Sequence, residues 1–162
     1  MESSLLAILR SLMEERVDFI LVGGLAAVLQ GAPVHTFDVD IVFSQAPANI
    51  DRVSSALDSL DAIFRMQPDR KLRPNVSNLT GSGHLNLVTK YGPLDLLTNI
   101  GDRLGYESLL PLSRQLRIGD EQAIRVLRLE TLIDLKEKLA GDKDLATLPI
   151  LRRTLSESKQ KD

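Results

Sequence analysis

The segment LVGGLAAVLQGAPVHTFDVDIVF, residues 21–43, constrains the fold of this chain more than any other stretch. It predicts a buried strand, a turn at Gly23 and Gly24, a short apolar helix and a second strand that begins at Asp38. Alternate side chains of a strand point to the same side, so Asp38 and Asp40 are expected to lie side by side. The alternation of strand and helix indicates an α/β fold.

The two acids of this segment predict a site for a divalent cation. Neighbouring carboxylates on an apolar strand repel each other, and Asp is a poor strand former. A hard cation such as Mg²⁺ takes oxygen ligands and would remove the repulsion. The turn at Gly23 and Gly24 offers backbone N–H groups at the start of a helix, where a phosphate can bind. A metal site beside a phosphate site indicates phosphoryl chemistry on a nucleotide.

A third acid, Asp95, lies in the apolar segment GPLDLLTNI. Phosphoryl transfer with two metal ions commonly uses three carboxylates, because the two cations share ligands. A buried carboxylate without a partner costs several kcal/mol, so Asp95 is expected to have one. The alternative is an Asp that only caps the turn at Gly92 and Pro93.

These residues resemble the nucleotidyltransferase superfamily that is related to DNA polymerase beta. The motif of that family is a hydrophobic strand, Gly-Gly or Gly-Ser, a spacer of roughly a dozen residues and an acid–hydrophobic–acid triplet on the next strand. Here Gly23-Gly24 precedes residues 25–37 and then Asp38-Val39-Asp40. The small bacterial members, both minimal and toxin–antitoxin types, commonly have a Thr where Thr36 stands. Many of them have an Arg where this chain has Val34.

The resemblance implies an α/β (α+β) fold of the polymerase-beta-like type, in which helices pack on a small mixed sheet. It also implies transfer of a nucleoside monophosphate from a nucleoside triphosphate to an acceptor, which would be an RNA end such as that of tRNA, a protein hydroxyl or a small molecule. The expected cofactor is Mg²⁺ or Mn²⁺. The C-terminal segment resembles these proteins in a helix lysine, Lys136, followed by Lys143-Asp144. The site residues that the resemblance assigns are Asp38, Asp40 and Asp95 for catalysis and metal binding, and Gly23, Gly24, Thr36 and Lys136 for nucleotide binding.

Two alternatives to an active transferase stay open. One is a catalytically silent relative that binds a nucleotide or a partner protein, and the other is a structural module such as a toxin–antitoxin component. Presence of all three acids favours an enzyme. His35 and His84 are expected to be ordinary surface or strand residues, because hard cations prefer oxygen ligands. The basic loop QPDRKLRPN, residues 67–75, is interpreted as a solvated loop or as a contact for an acidic acceptor.

Composition limits the remaining classes of function. The chain has 162 residues, 43% of them hydrophobic and 26% charged, as expected for a soluble domain spanning residues 1–155 with a charged, frayed tail at 156–162. The net charge of −2 provides no global positive field for nucleic acid. Cysteine is absent, which excludes disulfides and thiolate chemistry. Without an apolar run of membrane-spanning length, the expectation is a cytoplasmic protein.

The hydrophobic pattern predicts six strands and five helices. The turn of the last strand pair is predicted at Gly119-Asp120. The predicted strands are 18–22, 38–43, 84–89, 94–97, 114–118 and 123–127, and the predicted helices are 3–16, 25–29, 47–60, 129–139 and 144–155.

Overall fold

The computed structural model describes residues 4–119 and 122–161, and these ranges contain seven α-helices and seven strands. Two short 3-10 turns, Pro68–Arg70 and Leu110–Leu112, complete the regular structure of these ranges. The helices are α1 (Ser4–Glu14), α2 (Gly23–Leu29), α3 (Pro47–Ser59), α4 (Val76–Thr80), α5 (Tyr106–Leu109), α6 (Leu129–Leu139) and α7 (Asp142–Lys161). The strands are β1 (Phe19–Val22), β2 (Val39–Phe43), β3 (Ile63–Phe64), β4 (Leu85–Thr89), β5 (Gly92–Leu97), β6 (Ser113–Ile118) and β7 (Gln122–Leu127).

All seven strands form one mixed sheet in the order β3-β4-β5-β2-β1-β7-β6. The pairs β2–β5 and β1–β7 are parallel, whereas β1–β2, β3–β4, β4–β5 and β6–β7 are antiparallel. Helix α2 contacts β1, β2 and α6, and α1 contacts α3, β2 and β5. The predicted α/β fold with a mixed sheet packed by helices is therefore confirmed.

The core consists of the central strands and the apolar sides of the helices. All four residues of β1 are buried, as are four of the five residues of β2. A strand that is covered on both faces of the sheet needs such a continuous apolar run. Asn49 of α3 is fully buried, and its side-chain amide forms hydrogen bonds with the backbone next to β1 and β2. Its Oδ1 accepts from the Asp18 N–H at 2.7 Å, and its Nδ2 donates to the Ser44 carbonyl at 2.7 Å.

The sequence predicted the long elements and the short β1 and α2, but it did not predict β3, α4 and α5. Strand β3 has two residues, α4 five and α5 four, too short for a hydrophobic period to be visible in the sequence. The capping box of α4, in which the side chains of Asn75 and Asn78 bind each other's backbone N–H, is a local signal that marks where that helix begins. Of the predicted turn Gly119-Asp120, Asp120 lies outside the described residues.

The C-terminal helix extends beyond the predicted bounds of 144–155. Helix α7 continues to Lys161, so residues 156–161 are helical. Nothing after Pro149 breaks a helix, and Glu, Lys and Gln are good helix formers. Arg153 and Glu157, four residues apart, form an ion pair at 3.1 Å that supports the last turns. Pattern reasoning missed this extension because these turns have no apolar stripe.

Within residues 4–119 and 122–161, none of the helices combines the length and the apolar character that crossing a membrane would require.

Candidate active site

The three predicted acids lie together at one end of the central strands. Asp40 of β2 is paired in register with Asp95 of β5, and Asp38 immediately precedes β2. One carboxylate oxygen from each residue can be chosen so that all lie within 4.8 Å of one another. Asp95 lies inside its strand, so it does not cap the turn at Gly92. Two parallel strands therefore bring together acids that are 55 positions apart in the sequence.

The carboxylates of this cluster are electrostatically coupled. Burial raises the pKa of Asp40 to about 7, and a hydrogen bond to Asp95 and the charge of Asp38 add to the rise. Burial also raises the pKa of Asp38, with a further contribution from the charge of Asp95. Arg65 opposes both shifts, and Lys143 opposes the shift of Asp38. Three acids held this close without enough positive charge form a site that favours a bound cation or proton.

One cation already touches the cluster. The Nη2 of Arg65 lies 2.6 Å from Oδ1 of Asp95, and the Asp95 side chain is only 13% exposed. Arg65 follows β3, where its N–H donates to the carbonyl of Asn86 on β4 at 3.0 Å. Asn86 is in turn in register with Asp95. A polar row therefore runs from Arg65, just after β3, through Asn86 of β4 and Asp95 of β5 to Asp40 of β2.

Sequence reasoning missed Arg65. It lies 30 positions before Asp95 and follows a two-residue edge strand, so neither spacing nor periodicity connects it to the acids. A lone arginine among exposed basic residues also gives no local signal, since most such charges are solvated. The pairing of β3 with β4, and of β4 with β5, is what brings it to the site.

Gly23 and Gly24 lie next to the acid cluster on the side of β1. Gly23 has a φ of +71°, a left-handed conformation that suits glycine, and a Cβ at this position would collide with the Asp40 carboxylate. A Cβ on Gly24 would lie 2.9 Å from Oγ1 of Thr36. The absence of side chains therefore lets β1 and α2 approach the acids closely. Val22, the last residue of β1, is in register with Asp40, which explains this proximity.

The remaining predicted residues lie around the same space. Oγ1 of Thr36 donates to the carbonyl of Asp38 at 3.3 Å, so it holds the backbone just before the first acid. Nζ of Lys136 forms an ion pair with Oδ1 of Asp144 at 3.3 Å. The sequence did not predict this pair, which ties α6 to α7. His84 is exposed and has no place in this cluster.

A cavity of about 490 Å³ opens beside the acids. Its volume falls in the range of sites for small molecules, roughly 300–1,000 Å³. A smaller cavity of about 180 Å³ adjoins it and shares Gly23, Asp40, Lys136 and Asp144 with it. The residues that line the larger cavity include Gly23, Gly24, Phe37, Asp38, Lys136 and Lys143.

The donor set fits magnesium or manganese. Hard divalent cations bind carboxylate oxygens, and the three acids offer these at mutual distances that one or two ions can span. Burial and the neighbouring carboxylates raise the pKa values of Asp38 and Asp40, and a bound cation would offset this cost of holding the ionised forms together. Thiolate and imidazole ligands, which softer metals prefer, do not contribute to the cluster.

The fold of this chain is similar to that of two solved structures of nucleotidyltransferase type. One is the lincosamide antibiotic adenylyltransferase LnuA with bound lincomycin, with a TM-score of 0.60 and 18% sequence identity, covering 94% of this chain and 96% of that one. Another is TM1012 of Thermotoga maritima, a provisionally assigned nucleotidyltransferase, with a TM-score of 0.55 and 18% identity, covering 94% and 92%. No protein-family model matches the sequence, and no curated protein matches it significantly.

Proposed function

We propose that this protein is a nucleotidyltransferase that moves a nucleoside monophosphate from a nucleoside triphosphate to an acceptor. In this reaction an acceptor oxygen or nitrogen forms a bond to the α-phosphorus, the bond from that phosphorus to the β-phosphate oxygen breaks, and pyrophosphate leaves. The observation that carries the proposal is the convergence of Asp38, Asp40 and Asp95 beside a close-approaching Gly23. The fold that this chain shares with LnuA, an adenylyltransferase, supports it.

Asp38, Asp40 and Asp95 would hold Mg²⁺ or Mn²⁺, which when bound neutralises charge on the phosphates and lowers the pKa of the acceptor hydroxyl. In this proposal Gly23 and Gly24 bind the triphosphate through backbone N–H groups, because they lie in the first turn of α2, where such groups are available to an anion. Thr36 keeps the backbone of the first acid in place.

Asp95 has a separate role in the proposal, which is to accept the proton of the acceptor. Arg65 binds one of its oxygens, Oδ1, and thereby fixes the orientation of the carboxylate. Lys136 and Lys143 line the cavity and supply positive charge toward the phosphates. For Lys136 this requires that its ammonium group exchange its partner Asp144 for a phosphate oxygen.

Transfer of label tests the proposal. The protein is incubated with each of the four α-labelled nucleoside triphosphates, Mg²⁺ and cell lysate, and labelled products are resolved as RNA, protein and small molecules. The native chain should label one class of acceptor, and Asp40→Asn should not. Asp51→Asn removes an exposed acid of α3 and serves as the matched control, which should label as the native chain does. Failure to label with any triphosphate, or equal labelling by Asp40→Asn, would contradict the proposal.

The acceptor that takes the label also defines the biological role. A labelled tRNA or protein would support a toxin–antitoxin type of transferase, and a labelled small molecule would support a drug-modifying or metabolic one. A silent relative, the second candidate from the sequence, requires that the native chain bind nucleotide without any transfer.

A further inference from the structure

Phe37 is a large apolar side chain that remains 80% exposed although its two neighbours belong to the site. Thr36 holds the carbonyl of Asp38, so the backbone on both sides of Phe37 is fixed. An exposed hydrophobic residue is ordinary when it stands alone on a surface. Phe37 instead lines the same cavity of about 490 Å³ as the Gly pair and the acids. Its ring is therefore available to whatever occupies that cavity.

The cavity wall combines two kinds of chemistry. Lys136 and Lys143 provide positive charge, whereas Ala27, Val34 and Leu151 provide apolar surface. A nucleoside triphosphate has the same division, because its phosphates are anionic and its base is a flat ring with apolar faces. An aromatic side chain is the usual partner of such a ring.

We propose that Phe37 stacks on the base of the nucleoside triphosphate and so contributes to the selection of the nucleotide. This inference rests on the proposed function and adds the recognition of the base to it. Stacking uses the face of the base, which every base has, so all four nucleotides should bind. Purines present the larger face and should bind more tightly than pyrimidines.

The chain contains no tryptophan, so Phe37→Trp creates a single fluorescent reporter at this position. The variant is titrated with α,β-methylene analogues of the four nucleoside triphosphates in the presence of Mg²⁺. Its fluorescence should change saturably with each analogue, most strongly with purines, and should stay constant with tripolyphosphate, which lacks a base. Met66→Trp is the matched control, because Met66 is 82% exposed and does not line the cavity. It should not respond to any of these compounds.

Calorimetry on Phe37→Ala gives an independent measure. The affinity for the ATP analogue should fall about tenfold, the affinity for tripolyphosphate should not change, and Phe37→Tyr should bind as the native chain does. The inference would be overturned if Phe37→Ala bound the ATP analogue as tightly as the native chain does. It would also be overturned if the fluorescence of Phe37→Trp stayed constant with every analogue, or if it changed with protein concentration and not with nucleotide concentration, which would indicate self-association. If the native chain itself did not bind any of the nucleotide analogues, the proposed function would be overturned as well. Failure of the stacking inference alone is therefore distinguishable from failure of the proposed function.

Discussion

At the scale of single residues, the site depends on how charge is balanced around three carboxylates. Asp38 and Asp40 have raised pKa values because burial and their neighbours disfavour the ionised forms. Arg65 is the cation in contact with Asp95, and it supplies counter-charge to the cluster. A metal ion would supply more of it. The contribution of Arg65 to stability should therefore depend on whether a metal is present.

Arg65→Gln tests this dependence. In EDTA the substitution should lower the free energy of unfolding by about 1–2 kcal/mol, a value reduced from that of a fully buried pair because Arg65 is 35% exposed. With saturating Mn²⁺ the loss should be less than half of that. Denaturant unfolding in both conditions measures the difference. Arg73→Gln, which removes an exposed pair with Asp61, should have a small and equal effect in both. An equal loss for Arg65→Gln with and without Mn²⁺ would refute the role of Arg65 as counter-charge.

The residue scale also shows what a sequence can and cannot reveal about such a site. Asp38 and Asp40 are visible because strand geometry acts over two positions. Asp95 is visible because a charged residue interrupts an apolar run. Arg65 is not, since its contact with Asp95 depends on the pairing of β3 with β4 and of β4 with β5. Lys136 was predicted to be near phosphates, but its partner Asp144 becomes evident only when α6 and α7 are packed.

At the scale of elements, the junction of β1 and α2 positions the site. The turn at Gly23 has to be left-handed and has to leave space for Asp40. Gly119 provides a matched comparison, because its φ of +72° is nearly the same and no described atom lies within 4 Å of an added Cβ. Comparing substitutions at Gly23 and Gly119 thus separates the effect of backbone strain from the effect of a collision with Asp40.

Gly119→Ala should lower stability by about 1–2 kcal/mol, because an L-residue is strained at this φ, and Gly23→Ala should lower it by at least as much, because the collision with Asp40 is added. In Gly23→Ala alone, the new Cβ displaces the Asp40 carboxylate, so affinity for Mn²⁺ should fall at least tenfold. Thermal unfolding and Mn²⁺ titration of both variants measure the two effects. If Gly23→Ala binds Mn²⁺ as tightly as Gly119→Ala, the proximity of Gly23 to Asp40 is irrelevant to the site.

Element-level prediction succeeds where an element is long enough to show its period. The helices α1, α3 and α6 each have eleven residues or more and follow an apolar stripe that the sequence displays. Strand β3 has two residues and does not, yet it forms the edge beside which Arg65 lies. The helical residues 156–161 were missed for the opposite reason, since their helix does not need an apolar face to continue.

At the scale of the whole molecule, the strand order determines where chemistry can occur. Because β2 is parallel to β5 and antiparallel to β1, the start of β2, the middle of β5 and the end of β1 meet at one end of the central strands. Helices α6 and α7 then add Lys136 and Lys143 to the cavity at this end of the strands. The topology explains why residues from five elements that are separated in the sequence meet in one site.

The central claim is that Asp38, Asp40 and Asp95 form a divalent-metal site, and calorimetric titration with Mn²⁺ at several pH values tests it directly. The native chain should bind Mn²⁺, and its affinity should rise as the pH increases from about 5 to about 8, because Asp40, with a pKa of about 7, must lose its proton to bind the cation. Asp40→Asn should lose most of the affinity, and Asp51→Asn should keep it. Absence of binding in the native chain, or equal binding by Asp40→Asn, would contradict the claim.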